Sequence, residues 1–179
     1  MVYLFLANGF EITEAMAPLD VMRRAGMDVK TVGVTGEYVE SSNGVTVKAD
    51  ITLGELSYDE AEGAVLPGGM PGTLNLKASK EVIECVRRCY ESGKPVAAIC
   101  AAPSILGAMG ILQDRQVTCF PGFEKELRGA VVTGDHVVVD GNVITAKGAG
   151  CSLSFGHAIV SVAVSKATAD KVLHDMQCY

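Results

Sequence analysis

The sequence lacks an excess of basic residues, a long apolar run and a paired-cysteine motif. Its 179 residues carry 15 Lys and Arg against 21 Asp and Glu, and a net charge of −6 leaves little basic charge for nucleic acid or an anionic membrane. No apolar run approaches the ~18 residues that a membrane helix needs. The amino terminus has no basic segment before its short apolar stretch, so we expect no signal peptide and a cytoplasmic protein.

The six cysteines contain no C-x-x-C pair and no clustered histidine, which argues against both a zinc site and a disulfide framework. In a reducing cytosol we expect all six to be thiols. Cys85 and Cys89 lie four residues apart on a predicted helix, where they could share one face. They could hold a metal there, but packing as small apolar side chains is the simpler interpretation. We therefore expect neither a metal nor a cofactor.

Strand and helix signals alternate along the chain. Short apolar strands are separated by segments with helical spacing, and the predicted strands include 2–6, 29–34, 64–66 and 95–99. Such alternation implies parallel βαβ units, so we predict a single α/β domain over residues 1–179. Its architecture would be a three-layer sandwich around a doubly wound, mostly parallel sheet.

Two local features modify this scheme. Residues 38–48 are predicted to form a small β-hairpin excursion, with Asn43-Gly44 at its turn. Pro18 lies inside the helix predicted over 11–25 and is expected to kink or break it.

Ligands of such sheets bind outside the carboxyl ends of the strands. This rule selects five loops, because each begins where a predicted strand ends. These loops are 7–14, 67–72, 100–103, 120–123 and 148–152.

Cys100 lies between a buried strand and a helix that starts immediately after it. Such a turn must be tight, which explains Ala101 and Ala102, because larger side chains would collide with neighbouring strands. Pro103 suits the first helical turn, where its missing N–H is not needed. This is the geometry of a nucleophile elbow with cysteine as the nucleophile, and the helix amino terminus favours the thiolate. The alternative is a cysteine that fills a core position at a strand end.

Gly68 and Gly69 follow another predicted strand. Two glycines let backbone N–H groups approach a ligand closely, as an oxyanion hole requires, although a plain turn is the simpler explanation of that motif alone. Glu14 opens the first helix together with Glu11, where an acid stabilises the helix dipole. Glu14 could instead place its carboxyl beside the Cys100 sulfur. Since a carboxylate beside a thiolate is unfavourable, such a pair should share one proton.

Four motifs occur in a fixed order: PLDVMRRAG at 18–26, LPGG at 66–69, AICAAP at 98–103 and KGAG at 147–150. Together they resemble the ThiJ/PfpI superfamily, and within it the branch of the Parkinson-disease-associated protein deglycase and its bacterial relatives. The resemblance extends over nearly the whole chain. Each motif alone is weak, whereas all of them in order are specific.

The resemblance implies a flavodoxin-like fold and a homodimer. It implies that Cys100 matches the family's oxidation-prone nucleophile and Glu14 its protonated carboxyl partner. Gly69 and Ala101 match the positions whose backbone N–H groups face that sulfur. The activities of this branch are cofactor-free glyoxalase and deglycase chemistry on methylglyoxal adducts, redox-dependent chaperone behaviour and peroxide sensing.

The sequence departs from the family pattern at two positions. The protease-like branch has a histidine directly after the nucleophile, and Ala101 at that position counts against an intracellular Cys-His protease. Several members have a histidine where this chain has Phe120, which cannot accept a proton. Cys151, where relatives often carry a hydroxyl residue, could line the pocket or merely pack. Gly68, Phe120 and Cys151 are thus the candidates for lining the pocket.

Three histidines remain, at positions 136, 157 and 174, and none lies in a predicted active-site loop. His157, in an apolar helix, is expected to be a hydrogen-bonded core or interface residue.

Two functional hypotheses remain open. In the first, the chain is an enzyme in which the Cys100 thiolate attacks an aldehyde or hemithioacetal carbon. Gly69 and Ala101 then hold the oxyanion and Glu14 moves the proton. In the second, the chain is a redox sensor or oxidative-stress chaperone in which Cys100 is oxidised to sulfinate without substrate turnover. We favour the enzyme, with a small aldehyde or glycated molecule as substrate and no nucleic-acid or membrane partner.

Overall fold

The computed structural model describes residues 1–178, which form eleven strands and six α-helices. The strands are β1 (Val2–Leu6), β2 (Val29–Gly33), β3 (Tyr38–Glu40), β4 (Thr46–Lys48), β5 (Ile51–Thr52), β6 (Gly63–Leu66), β7 (Val96–Ile99), β8 (Gln116–Val117), β9 (Val131–Val132), β10 (Val137–Asp140) and β11 (Val143–Ala146). The helices are α1 (Ile12–Arg24), α2 (Gly72–Ala78), α3 (Lys80–Glu91), α4 (Pro103–Ala108), α5 (Ser152–Ala163) and α6 (Lys166–Asp175).

Seven strands form the central sheet in the order β10-β11-β7-β6-β1-β2-β5. All neighbouring pairs are parallel except β10 and β11, which form an antiparallel hairpin at one edge. The predicted excursion is confirmed, because β3 pairs antiparallel with β4 outside the central sheet. The architecture is therefore the doubly wound, mostly parallel sheet that the sequence predicts.

Helices cover both faces of the sheet, and the alternation of side chains along the strands supplies both contacts. On β1, Leu4 and Leu6 pack towards α1, α5 and α6, whereas Tyr3 and Phe5 pack towards α2, α3 and α4. All five residues of β1 are buried, as expected of a strand with helices on either side. These two apolar layers form the core of the predicted three-layer, flavodoxin-like sandwich.

Helix α1 contains Pro18, where we expected a kink or a break. No break occurs, because the helix continues from Ile12 to Arg24. Proline removes one N–H, the one that would bond to the carbonyl of Glu14, while buried residues beyond it such as Val21 and Met22 pack into the core. Burial of the second half of the helix outweighs the loss of one hydrogen bond.

Within the described range, no helix has both the length and the apolar character needed to span a membrane.

Candidate active site

The loops that follow β1, β6 and β7 meet at one edge of the sheet. β6 pairs in parallel with β1 on one side and with β7 on the other, so the carboxyl ends of the three strands are adjacent. This arrangement brings together Glu14, the glycine pair and Cys100, which lie far apart in the sequence.

Cys100 occupies the left-handed region of the backbone map, with φ of 65°. Residues other than glycine rarely adopt this conformation, which costs on the order of 1 kcal/mol or more and clusters at functional sites. The following Ala101 and Ala102 are buried, with 3% and 0% of their surface exposed, and α4 begins at Pro103. The turn therefore has the sharp geometry of the predicted elbow, with the Cys100 side chain half-buried at its tip.

Gly68 and Gly69 leave no room for a side chain at the site. A Cβ at Gly68 would lie 2.6 Å from Glu14 Oε2 and 2.8 Å from Cys100 Cβ. Gly69 has φ of +90°, and a Cβ there would lie 2.4 Å from Glu11 N. Glycine is required at both positions, because the loop is pressed against the start of α1 and against the elbow.

Glu14 faces the cysteine rather than capping its helix. The amino terminus of α1 is capped by Glu11, whose Oε2 accepts the Glu14 N–H at 2.7 Å. The Glu14 side chain is 1% exposed, its Oε2 accepts the Gly68 N–H at 2.9 Å, and its carboxyl hydrogen-bonds with Cys100. The helix-dipole role that the sequence left open thus belongs to Glu11.

Burial raises the pKa of Glu14 from 4.5 to about 7, although hydrogen bonds with Cys100 and Gly68 act to lower it. Burial, followed by the negative charge of Glu14, raises the pKa of Cys100 from 9.0 to about 12. The backbone N–H groups of Ala101 and Gly69 hydrogen-bond the sulfur and act in the opposite direction. Because the two groups titrate together, the pair holds one proton between about pH 7 and about pH 12.

This electrostatic environment differs from the sequence-based expectation. We expected the amino terminus of the following helix to lower the pKa of Cys100 and so favour its thiolate. The pKa is raised instead, because the sulfur is buried and an ionised Glu14 repels a thiolate. A thiolate at neutral pH therefore requires the shared proton to reside on Glu14.

Phe120 and Cys151 line a common cavity of about 470 Å³ beside the elbow. Gly68, the third predicted lining residue, lies next to Glu14 instead. Sequence reasoning missed two basic residues of this cavity, His136 and Lys147. The Lys147 N–H donates to the His136 carbonyl at 3.0 Å, so the β10–β11 hairpin holds the two opposite each other.

The other histidines and cysteines lie elsewhere. His157 Nε2 is 2.7 Å from Asp170 Oδ1, which confirms the expectation of a hydrogen-bonded histidine. Cys85 and Cys89 are buried in the core layer under α3, as the packing interpretation predicted. All six cysteines are free thiols. Among residues 1–178, no three His, Cys, Asp or Glu side chains cluster as metal ligands.

Similarity to known proteins identifies the family of this chain. A profile of the DJ-1/PfpI family matches residues 1–162. The chain belongs to the DJ-1/PfpI family. Deglycase PfpI of Pyrococcus furiosus is 33% identical over 150 residues, covering 82% of this chain and 90% of that protein. The solved structure of oxidised Toxoplasma gondii DJ-1 is similar with a TM-score of 0.93 at 29% identity, covering 98% of this chain and 97% of that one.

Some DJ-1/PfpI relatives are much longer than this chain. Protein DJ-1 homolog A of Arabidopsis thaliana is 33% identical over 171 residues, which are 93% of this chain but 44% of that protein. The chain likewise spans 39% of Protein DJ-1 homolog B of the same plant.

Proposed function

We propose that this chain is a cofactor-independent cysteine enzyme of the glyoxalase and protein-deglycase type, acting on methylglyoxal or its adducts. The observation that carries the proposal is the hydrogen-bonded pair of Cys100 and Glu14, which shares one proton under two backbone N–H groups. When the shared proton lies on Glu14 rather than on Cys100, this pair supplies both a nucleophile and a proton carrier without a histidine. The name of the Pyrococcus furiosus relative, a deglycase, supports the reaction class.

The first step forms a carbon–sulfur bond. With the shared proton on Glu14, the Cys100 thiolate attacks the aldehyde carbon of methylglyoxal, and the carbonyl oxygen takes the proton from Glu14. While negative charge develops on that oxygen, the N–H groups of Gly69 and Ala101 that already bond the sulfur are in position to stabilise it. The product is a hemithioacetal on Cys100 with Glu14 ionised.

The second step moves a proton between carbons and needs no external oxidant. The Glu14 carboxylate removes the proton from the former aldehyde carbon and returns it to the neighbouring ketone carbon. The hydroxyl proton of the hemithioacetal passes to the ketone oxygen, so the first carbon is oxidised to a thioester and the second is reduced to an alcohol. Water then cleaves the carbon–sulfur bond, so that methylglyoxal and one water yield lactate and one proton and the Cys100–Glu14 pair is restored.

The decisive experiment compares wild type with Cys100→Ser. Serine keeps the shape of the side chain but is a far weaker nucleophile, so we expect methylglyoxal consumption to fall to the background rate. Consumption is followed by loss of the dicarbonyl and appearance of lactate. Cys178→Ser removes an exposed thiol far along the chain and serves as the control with unchanged rates. Full activity in Cys100→Ser would exclude this mechanism.

A second candidate function, a redox sensor, is favoured by the same hydrogen-bond donors. Oxidation of Cys100 to sulfinate would place two oxygens where the N–H groups of Gly69 and Ala101 and a protonated Glu14 can bind them. The oxidised Toxoplasma gondii structure is of a protein similar over 98% of this chain. Oxidation confined to Cys100 is the signature of this function.

A further inference from the structure

The cavity beside the elbow has an apolar interior and a basic rim. Its walls are the ring of Phe120, Pro121 and the turn 148–151, and its rim carries His136 and Lys147. A volume of about 470 Å³ lies within the ~300–1,000 Å³ typical of small-molecule sites. The cavity thus has the size and lining of a substrate subsite.

Both walls of the cavity are attached to the backbone of Cys100. The Phe120 N–H donates to the Cys100 carbonyl at 2.9 Å, and the Cys100 N–H donates to the carbonyl of Ala146, directly before Lys147, at the same distance. The two walls also approach each other, since a Cβ at Gly148 would lie 3.4 Å from the Phe120 ring. The cavity is therefore built directly beside the backbone of Cys100.

The charge at the rim is not neutralised by the protein. Lys147 Nζ donates to the Gly134 carbonyl at 3.3 Å and pairs with no carboxylate of residues 1–178. The cavity lining contains no acidic residue, although the chain as a whole carries a net charge of −6. Lys147 thus places a positive charge without a carboxylate partner beside an apolar surface, which is an arrangement that suits an anion.

We propose that this cavity binds the distal part of the substrate, and that the preferred substrate is a 2-oxoaldehyde or its adduct with an apolar segment ending in a carboxylate. The apolar segment would lie against Phe120, and the carboxylate would meet Lys147 and His136. The inference rests on the proposed function, because the carbonyl group is taken to react at Cys100. It assigns a role to Phe120, whose side chain cannot accept a proton.

A matched pair of substrates tests the subsite. Phenylglyoxal and 4-carboxyphenylglyoxal differ only in the distal carboxylate, and each is converted to the corresponding mandelate by the internal redox chemistry described above. We expect wild type to prefer the carboxylated compound in kcat/KM by about two- to fivefold at low salt. Lys147→Gln should bring this ratio close to one. Lys171→Gln, an equal change of charge on α6, is the control and should keep the wild-type ratio.

The outcomes separate the subsite from the reaction. A ratio near one in wild type, or an unchanged ratio in Lys147→Gln, overturns the subsite while leaving the chemistry at Cys100 intact. If neither compound is consumed, the proposed function fails, and the subsite is then decided by alkylation of Cys100 with N-phenylmaleimide and its 4-carboxyphenyl analogue, followed by peptide mass spectrometry. Faster reaction of the carboxylated reagent in wild type, lost in Lys147→Gln, supports the subsite. Equal rates refute it.

Discussion

Glu14 is the residue at which function and stability conflict. Its carboxyl is 1% exposed, and burial raises its pKa from 4.5 to about 7. The folded protein therefore binds the Glu14 proton more tightly than the unfolded chain does. Below about pH 4.5 this carboxyl is neutral in both states, and as the pH rises through about 7 the folded state must accept a buried charge.

Glu14→Gln is accordingly expected to stabilise the protein at high pH only. The amide is neutral at every pH, and its oxygen can still accept the Gly68 N–H. The rise of the Glu14 pKa from 4.5 to about 7 corresponds to about 3 kcal/mol, so this is the expected gain at pH 8.5, with almost none at pH 4.5. Urea denaturation at both pH values measures it, and Glu91→Gln on the exposed end of α3 provides the control. A gain of equal size at the two pH values would contradict a titrating Glu14.

For single residues, the sequence predicts which side chains meet near Cys100 better than it predicts the residues of the neighbouring cavity. Cys100, Glu14 and Gly69 lie together, as predicted, because the carboxyl ends of parallel strands meet at one edge of the sheet. His136 was missed because it lies before an antiparallel strand rather than after a parallel one. The hairpin turn at 140–142 is the sequence feature that could have revealed it. In the antiparallel register set by this turn, residue 136 lies opposite residue 147, which is next to a predicted loop.

Helices α1 and α5 contact each other where α5 has a glycine. A Cβ at Gly156 would lie 2.9 Å from Val21 Cβ and 3.0 Å from Pro18 Cα. The absence of a side chain thus lets α5 approach the segment of α1 around Pro18. Because Glu14 lies one turn earlier on α1, this contact helps to fix the helix that carries the proton-sharing carboxyl.

Gly156→Ala is expected to destabilise the protein although alanine is the better helix former. The helix preference favours alanine by about 1 kcal/mol. Forcing a methyl group into a filled interface costs about 1–3 kcal/mol, so the net result is a loss of up to about 2 kcal/mol. Urea denaturation measures the change, and Ser154→Ala on the exposed side of α5 should be neutral or slightly stabilising. A Gly156→Ala protein as stable as wild type would show that the interface between α1 and α5 can accommodate a methyl group.

At the element scale, the length of a segment decided whether it could be predicted. Long segments can be predicted closely: the helix predicted over 11–25 forms over Ile12–Arg24. Strands β5 and β9 have two residues each and show no periodicity, so no pattern could reveal them. Helix α1 continues through Pro18 without a break, because burial of the rest of the helix overrides the local preference of proline.

Across the whole molecule, the six thiols differ in exposure. Cys85, Cys89 and Cys119 are buried, Cys100 and Cys151 are half-buried, and Cys178 is exposed. Cys119 is only 4% exposed, so peroxide has little access to its sulfur. Cys100 is the thiol that combines access with a carboxyl partner and two N–H donors.

Mild peroxide treatment should therefore add two oxygens at Cys100 and leave the three buried cysteines unmodified. The Cys100 thiolate, which forms when Glu14 holds the shared proton, reacts with peroxide. The N–H groups of Gly69 and Ala101 then stabilise the sulfinate. Peptide mass spectrometry after digestion locates the added mass, with Cys100→Ala as the control in which it disappears. Oxidation spread over all six cysteines would contradict both the redox function and the special reactivity of Cys100.

The fold itself followed from alternation of strands and helices, because parallel strands joined by helices have few possible topologies. The alternation of strands and helices does not predict how deeply the Cys100 sulfur is buried. Whether a strand-end cysteine is solvated or enclosed depends on loops from three other strands, and that enclosure reverses the direction in which the Cys100 pKa moves.

The left-handed backbone at Cys100 sets a limit on how this protein can be improved. Glycine would adopt φ of 65° without strain, so the backbone itself prefers the one residue that has no sulfur. Selection for thermal stability alone would favour glycine at position 100, which has no nucleophile. Selection for catalytic turnover must instead retain cysteine and its backbone strain. Any stabilised version of this scaffold therefore has to gain its stability away from residue 100.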